Sequence, residues 1–168
     1  ETVTGPNMRT PFEAAEVAKI CADLVRSTNK VRRGIGTARE DVNVSVEGGT
    51  RIEIKGVPKI GRIPHLTYNE AMRQWNLLRL REELHRRGIT KETFEAKSAD
   101  ITRIVKKAHY LPIRTATDQG LLVKCVALRG YSGLLNWQTQ TDTYFSKEIS
   151  DRVRVIACLT NIPNIIHS

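Results

Sequence analysis

The sequence predicts an α+β fold: an antiparallel hairpin flanked by helices, followed from about residue 95 by a smaller α+β module. Three observations predict it. Valines alternate with polar residues over Asp41–Val46, and isoleucines repeat the pattern over Arg51–Lys55 across a glycine-rich turn. Helix-capping residues precede two stretches of helical apolar spacing, at Thr10 and at Thr67. After Gly88 the composition shifts, and two apolar runs, Leu121–Leu128 and Val153–Leu159, bracket a helical stretch.

In chain order, Thr10-Pro11-Phe12-Glu13 reads as a helix start, with threonine as cap, proline in the first turn and glutamate closing a capping box. Phe12, Ala15, Ala18, Cys21 and Val25 carry the helix to about Arg26, and Ser27-Thr28-Asn29 ends it. Residues 38–46 and 51–57 are expected strands. A three-residue loop, Glu47 to Gly49 with Gly49 left-handed, keeps the valines and isoleucines on one face; it sets Asn43 opposite Glu53 and Asp41 opposite Lys55. Residues 67–87 are the best helix, with a Thr67/Glu70 capping box and Gly88 as its C-terminal glycine. Ala71, Trp75, Leu77, Leu78, Leu80 and Leu84 form its apolar face. Ile89–Ser98 reads as a connector containing the boundary between residues 1–94 and 95–168. Beyond it are expected a short helix over 100–107, a strand over 121–128, a Gly130–Gly133 loop, a helix over 147–152 and a buried strand over 153–159.

The chain has 168 residues and a net charge of +9, concentrated in residues 61–110, which hold 11 basic and 6 acidic residues. That middle suits a polyanion such as RNA, and equally a solvated helix face. Arg79, Arg86 and Arg87 are the RNA-contact candidates. No apolar run spans a bilayer and no leader pattern opens the chain, so a cytoplasmic protein is expected. Cys21, Cys125 and Cys158 are widely spaced among apolar neighbours and read as reduced core thiols, with no zinc spacing. The absence of an initial methionine and the end at Ser168, just after an apolar stretch, are expected of an internal piece.

Chemistry concentrates on the polar face of the hairpin. Arg39, Asp41, Asn43 and Ser45 project from the first strand, and Arg51, Glu53 and Lys55 from the second. Two carboxylates on neighbouring strands can hold magnesium through hard oxygen ligands, and nearby cations can neutralise a phosphoryl group. The same pattern fits a solvated antiparallel face with cross-strand ion pairs. Gly34-Ile35-Gly36 lacks the lysine and hydroxyl of a P-loop. The histidines His65, His85, His109 and His167 have no ligand or triad spacing, and no nucleophile elbow is present.

Several segments resemble the B/E family of tRNA-dependent amidotransferase subunits. They are Val3–Thr10, Gly34–Val46, Arg51–Gly56 and Asn69–Gln74, in order over residues 1–88, with the Gly-Ile-Gly-Thr and Lys55-Gly56 forms closer to the archaeal E-type than to the bacterial B-type. From about residue 95, Pro112-Ile113-Arg114, the 121–128 strand, Gly130–Leu135 and Ile165–Ser168 resemble the insertion domain of bacterial-type aspartyl-tRNA synthetases, although Thr160–Asn164 lacks the glycines usual there. The resemblance implies an antiparallel-sheet cradle fragment over 1–94 and an incomplete insertion domain over 95–168. It implies a ligase of protein biosynthesis that uses ATP and Mg2+ to phosphorylate the side-chain carboxyl of glutamate misacylated onto tRNA(Gln). Ammonia from an asparaginase-like amidase subunit would then give Gln-tRNA(Gln), in a hetero-oligomer. Asp41 and Glu53 would be the metal-binding catalytic carboxylates, with Arg39, Asn43, Ser45 and Lys55 lining the ATP and substrate pocket. The family's further glutamate and histidine belong to an early strand with no counterpart here, so the piece alone is expected to be inactive. A non-catalytic basic tRNA-binding module, and the equivalent B-type chain of a Glu/Asp-tRNA amidotransferase, are the alternatives.

Overall fold

The structure, a computed structural model, describes residues 1–34 and 36–159. Among these are four α-helices and three two-stranded antiparallel sheets, a mixed α/β arrangement compatible with α+β. The segment 160–168, with His167, and Ile35 lie outside the described residues.

Helix α1 covers Pro11–Ser27 and begins as its sequence dictates: the Thr10 hydroxyl accepts from Glu13 N and the Glu13 carboxylate accepts from Thr10 N. Strands β1 (Glu40–Val44) and β2 (Ile52–Val57) pair in the expected register, Asn43 opposite Glu53 and Val42 opposite Ile54. Two details differ. The left-handed turn residue is Gly48, at φ 74°, rather than Gly49, and Gly49 N closes the turn onto Val46 O at 2.9 Å. The ladder is also shorter than expected, so Arg39, Ser45 and Arg51 flank the strands instead of lying within them.

Helix α2 (Ile63–Arg86) starts four residues before Thr67, after a short 3-10 turn over Ile60–Arg62, with Pro64 in its first turn. The expected Thr67/Glu70 capping box is absent, because Thr67 lies inside the helix and its hydroxyl donates to Ile63 O at 2.7 Å. The far end is as expected. Gly88, at φ 71°, donates to His85 O, and Ile89 N donates to Leu84 O, which closes a Schellman motif.

Beyond α2 the structure departs further from the sequence expectation. Strand β3 (Ala96–Asp100) pairs with β4 (Lys124–Leu128), which is the C-terminal part of the expected 121–128 strand. Residues 101–107 form turns and not a helix, and helix α3 occupies Leu111–Asp118 with Pro112 in its first turn. A short 3-10 turn over Leu134–Asn136 leads into the small ribbon of β5 (Gln138–Gln140) and β6 (Thr143–Tyr144). Helix α4 runs over Phe145–Ile156, so Val153–Ile156 continue a helix where a strand was expected.

The core sits where the hairpin, α2 and the 134–150 segment meet. Val44, Val57, Ile63, Leu80 and Leu134 are its buried apolar side chains, joined by the buried polar residues Gln74, Thr139 and Ser150. Helix α1 packs on α2 but buries no residue, and Phe12, Ile20 and Leu24 remain exposed. The cysteines are free thiols, but they are not core residues: Cys125 and Cys158 are exposed and Cys21 is half-buried. On β4 this follows from a two-stranded sheet whose residues Lys124–Ala127 are all exposed among the described residues. No helix among the described residues is long and apolar enough to cross a membrane.

Leu80 is 2% exposed. Truncating it to alanine leaves a cavity between α2 and its neighbours and should cost about 2–5 kcal/mol, read as a lowered midpoint in chemical denaturation.

Candidate functional site

The hairpin's outer face carries the candidate site. Val42 and Val44 turn inward, so Asp41 and Asn43 turn outward, and Glu53 and Lys55 meet them from β2. The pairing is irregular at one point. Glu40 pairs with Val57 while Val42 pairs with Ile54, so Asp41 alone faces both Lys55 and Gly56. This is a β-bulge, and Gly56 adopts the left-handed φ of 69° that it needs. The expectation of Asp41 directly opposite Lys55 is corrected to that extent. The bulge has a chemical consequence: it aims Gly56 N at Asp41 Oδ1, 2.8 Å away.

Lys55 occupies the centre of this face. Its Nζ lies 3.3 Å from Asp41 Oδ2 and 3.0 Å from Glu53 Oε2, so one ammonium bridges two carboxylates. The Gly56 N–H, then the Lys55 ammonium, hold the Asp41 carboxyl below the usual aspartate range, with Arg39 adding a smaller electrostatic contribution. Lys55 is pushed up, first by its hydrogen bond to Glu53 and then by that to Asp41. All three side chains are well exposed, so these pairs organise the face more than they stabilise the fold. Asn43 joins them through its pairing with Glu53, and Arg39 lies close enough to act on Asp41. Ser45, exposed beyond the end of β1, shows no hydrogen bond to this group.

Two carboxylates with an asparagine on the same face could suit a cation that keeps much of its water and takes phosphate oxygens for the rest, which is how magnesium binds. The position of the Lys55 ammonium marks where the face concentrates negative charge, and its exposed side chain is free to swing aside. Among the described residues no group of three or more His, Cys, Asp or Glu side chains forms a self-sufficient metal cage. Asp41 and Glu53 are the two carboxylates that this face could offer a metal.

Three arginines singled out on α2 have different surroundings. Arg79 lies over the rings of Trp75 and Trp137, 4.8 and 5.6 Å from their centroids. Arg86 and Arg87 share Glu83, and Arg87 also donates to the carbonyls of Gly130 and Ser132. The basic stretch is thus partly tied into local structure.

Sequence reasoning passed over the residues that hold the hairpin in place. Gln74, 6% exposed, donates to Val44 O at 3.0 Å and accepts from Val46 N at 3.2 Å. Glu70, Arg73 and Gln74 share one side of α2 at helical spacing, a polar cluster within an otherwise apolar face that could have signalled a buried network.

The hairpin's exposed face thus gathers two carboxylates and two cations and is backed by helix α2. A family model described as the GatB/GatE catalytic domain matches residues 1–126, and the chain belongs to that family. It is 43% identical to the E-type subunit of glutamyl-tRNA(Gln) amidotransferase from Saccharolobus solfataricus over 164 residues, covering 95% of this chain and 26% of that protein. It is 38% identical to the subunit of the same name from Pyrococcus furiosus over 168 residues, covering 100% of this chain and 26% of that one. The chain thus spans about a quarter of the length of these relatives.

The Asp41 carboxyl should titrate below an ordinary aspartate. A folded-state pKa below the unfolded one means that its contribution to stability is present above the unfolded pKa and is lost as pH falls through the folded pKa. NMR titration of its carboxylate carbon should show the low midpoint. In Lys55→Met that midpoint should rise only part of the way, because the larger cause, the Gly56 N–H, remains.

Proposed function

We propose that the chain is the part of an E-type amidotransferase in which ATP activates the side-chain carboxyl of glutamate on misacylated tRNA(Gln). The γ-phosphoryl group passes to a carboxylate oxygen, giving an acyl phosphate and ADP; ammonia then attacks the carbonyl carbon, and phosphate leaves as the amide forms. The observation that carries this reading is the single cation position shared by Asp41 and Glu53 on an exposed hairpin face. The names of the relatives support the substrate and the reaction class.

Asp41 and Glu53 would hold Mg2+, which when bound supplies charge neutralisation to the phosphate oxygens. Lys55, released from its carboxylate partners, and Arg39 are placed to offset charge on the transferring phosphoryl group. Asn43 can donate to a phosphate or carboxyl oxygen, and Ser45 lies at the margin of the same face. Ammonia would come from an asparaginase-like amidase subunit in a hetero-oligomer, and the setting would be the cytoplasm. We further place residues 1–94 in a cradle domain and 95–168 in an aspartyl-tRNA-synthetase-type insertion domain. The β3–β4 sheet, which pairs only with itself among the described residues, supports a separate unit over 96–128, whereas Thr139 and Glu148 bond to α2.

In the full-length protein with its amidase partner, Asp41→Asn or Glu53→Gln should lower ATP-dependent amidation by about a hundredfold or more while tRNA binding persists. Normal turnover in either variant contradicts the assignment.

The basic face of α2 supports a second contribution, tRNA binding. Arg79 is the foremost candidate, because its guanidinium lies over aromatic rings and is paired with no carboxylate among the described residues. Reversing charge at Arg79, Arg86 and Arg87 together should weaken tRNA binding and flatten its salt dependence by about one unit of slope for each phosphate no longer neutralised. An unchanged slope in a salt series rules these residues out as RNA-binding groups.

A further inference from the structure

The network behind the hairpin reaches from its backbone to helix α4. Beyond the Val44–Ile52 pair the ladder ends among the described residues, and Val44 O and Val46 N bond to α2. A single carboxamide satisfies both, with Gln74 Nε2 on Val44 O and Gln74 Oε1 on Val46 N. Gln74 thus ties the turn end of the hairpin to α2. Gly49 leaves it room, since a Cβ there would sit 2.7 Å from Gln74 Oε1.

The amide's orientation is fixed from behind. Gln74 Nε2 also donates to Glu70 Oε1 at 2.9 Å, so a flipped amide would set oxygen against both the carboxylate and the Val44 carbonyl. Glu70 accepts from Arg73 Nη1 at 3.3 Å, and Arg73 spreads its Nε and Nη2 over Glu148 of α4 at 2.7 and 2.9 Å. Arg73 and Glu148 are only 17% and 14% exposed, and Glu148 is further held by the Thr139 hydroxyl. Glu148 in turn pushes the Arg73 pKa up.

We infer that Gln74 is a positioning residue for the hairpin's polar face, and that Glu148 sets it through Arg73 and Glu70. Asn43 immediately precedes Val44 in the chain, so the anchored carbonyl fixes where the outward side chains of β1 stand relative to β2. The segment after residue 130 thereby contributes to a polar face whose named side chains all lie within residues 39–56. The inference rests on the reading of that face as the phosphoryl-transfer site.

The test uses Gln74→Leu, Glu148→Gln and the double variant in the full-length protein with its amidase partner. The readouts are kcat/KM for ATP in amidation and amide hydrogen exchange at Val46. Each single variant should lower kcat/KM by about tenfold or more and speed Val46 exchange, and the double variant should be no worse than Gln74→Leu. Arg73→Lys, which keeps the charge and loses the fork, should act in the same direction and replaces Gln74→Leu if that variant does not fold. Multiplying effects, or wild-type kcat/KM and exchange in Glu148→Gln, overturn the proposal. Should Asp41→Asn prove fully active, the phosphoryl-transfer reading fails instead; the positioning claim then stands or falls on Val46 exchange alone.

Discussion

The carboxamide of Gln74 is the interaction on which the rest depends. A two-stranded hairpin is marginal by itself, because it buries one face and leaves both edges open. Here β1 packs on α2, with Val44 buried, while the turn end of the hairpin is held by one buried side chain bonded to two backbone groups. Burial makes that bond pair costly to lose, since an unpaired carbonyl and N–H would remain in an apolar setting. The helix therefore fixes the height of the strand that carries Asp41 and Asn43.

A rigid inner face permits an electrostatically loaded outer one. Asp41, Glu53 and Lys55 crowd together on the solvent side, and the Gly56 bulge adds a backbone N–H to the same group. In water these pairs contribute little to folding, so their arrangement is better explained by what they can receive than by what they hold up. On the proposed reading, the ammonium between two carboxylates occupies the place a divalent ion would take, and phosphate would supply the oxygens that the protein does not. On the opposite side of β1, Glu40 contrasts with Asp41: burial raises its carboxyl pKa, and one of its oxygens is buried without a hydrogen-bond partner among the described residues.

The elements legible in the sequence were those specified locally. The α1 capping box, the hairpin register and the Gly88 end of α2 each rest on residues within a few positions of one another. The errors arose where tertiary pairing overrode local preference. Ala96–Asp100 has little strand propensity and is extended because β4 lies beside it. Val153–Ile156 looks like a strand by its β-branched residues, but it continues the helix begun at Phe145. Thr67 imitates a cap, yet Pro64 had already opened the helix. Within the candidate site, residue types and register were readable, whereas the bulge and the Gln74 network were not. Both depend on interactions between segments that no single stretch of sequence displays.

The central claim is that the hairpin's polar face receives the nucleotide's phosphates with their metal. The most direct measurement is a crystal structure of the full-length protein with Mg2+ and a non-hydrolysable ATP analogue. The account predicts the metal on Asp41 and Glu53, with the Lys55 ammonium displaced toward the phosphates. A nucleotide bound elsewhere, with Lys55 still bridging the two carboxylates, would contradict it.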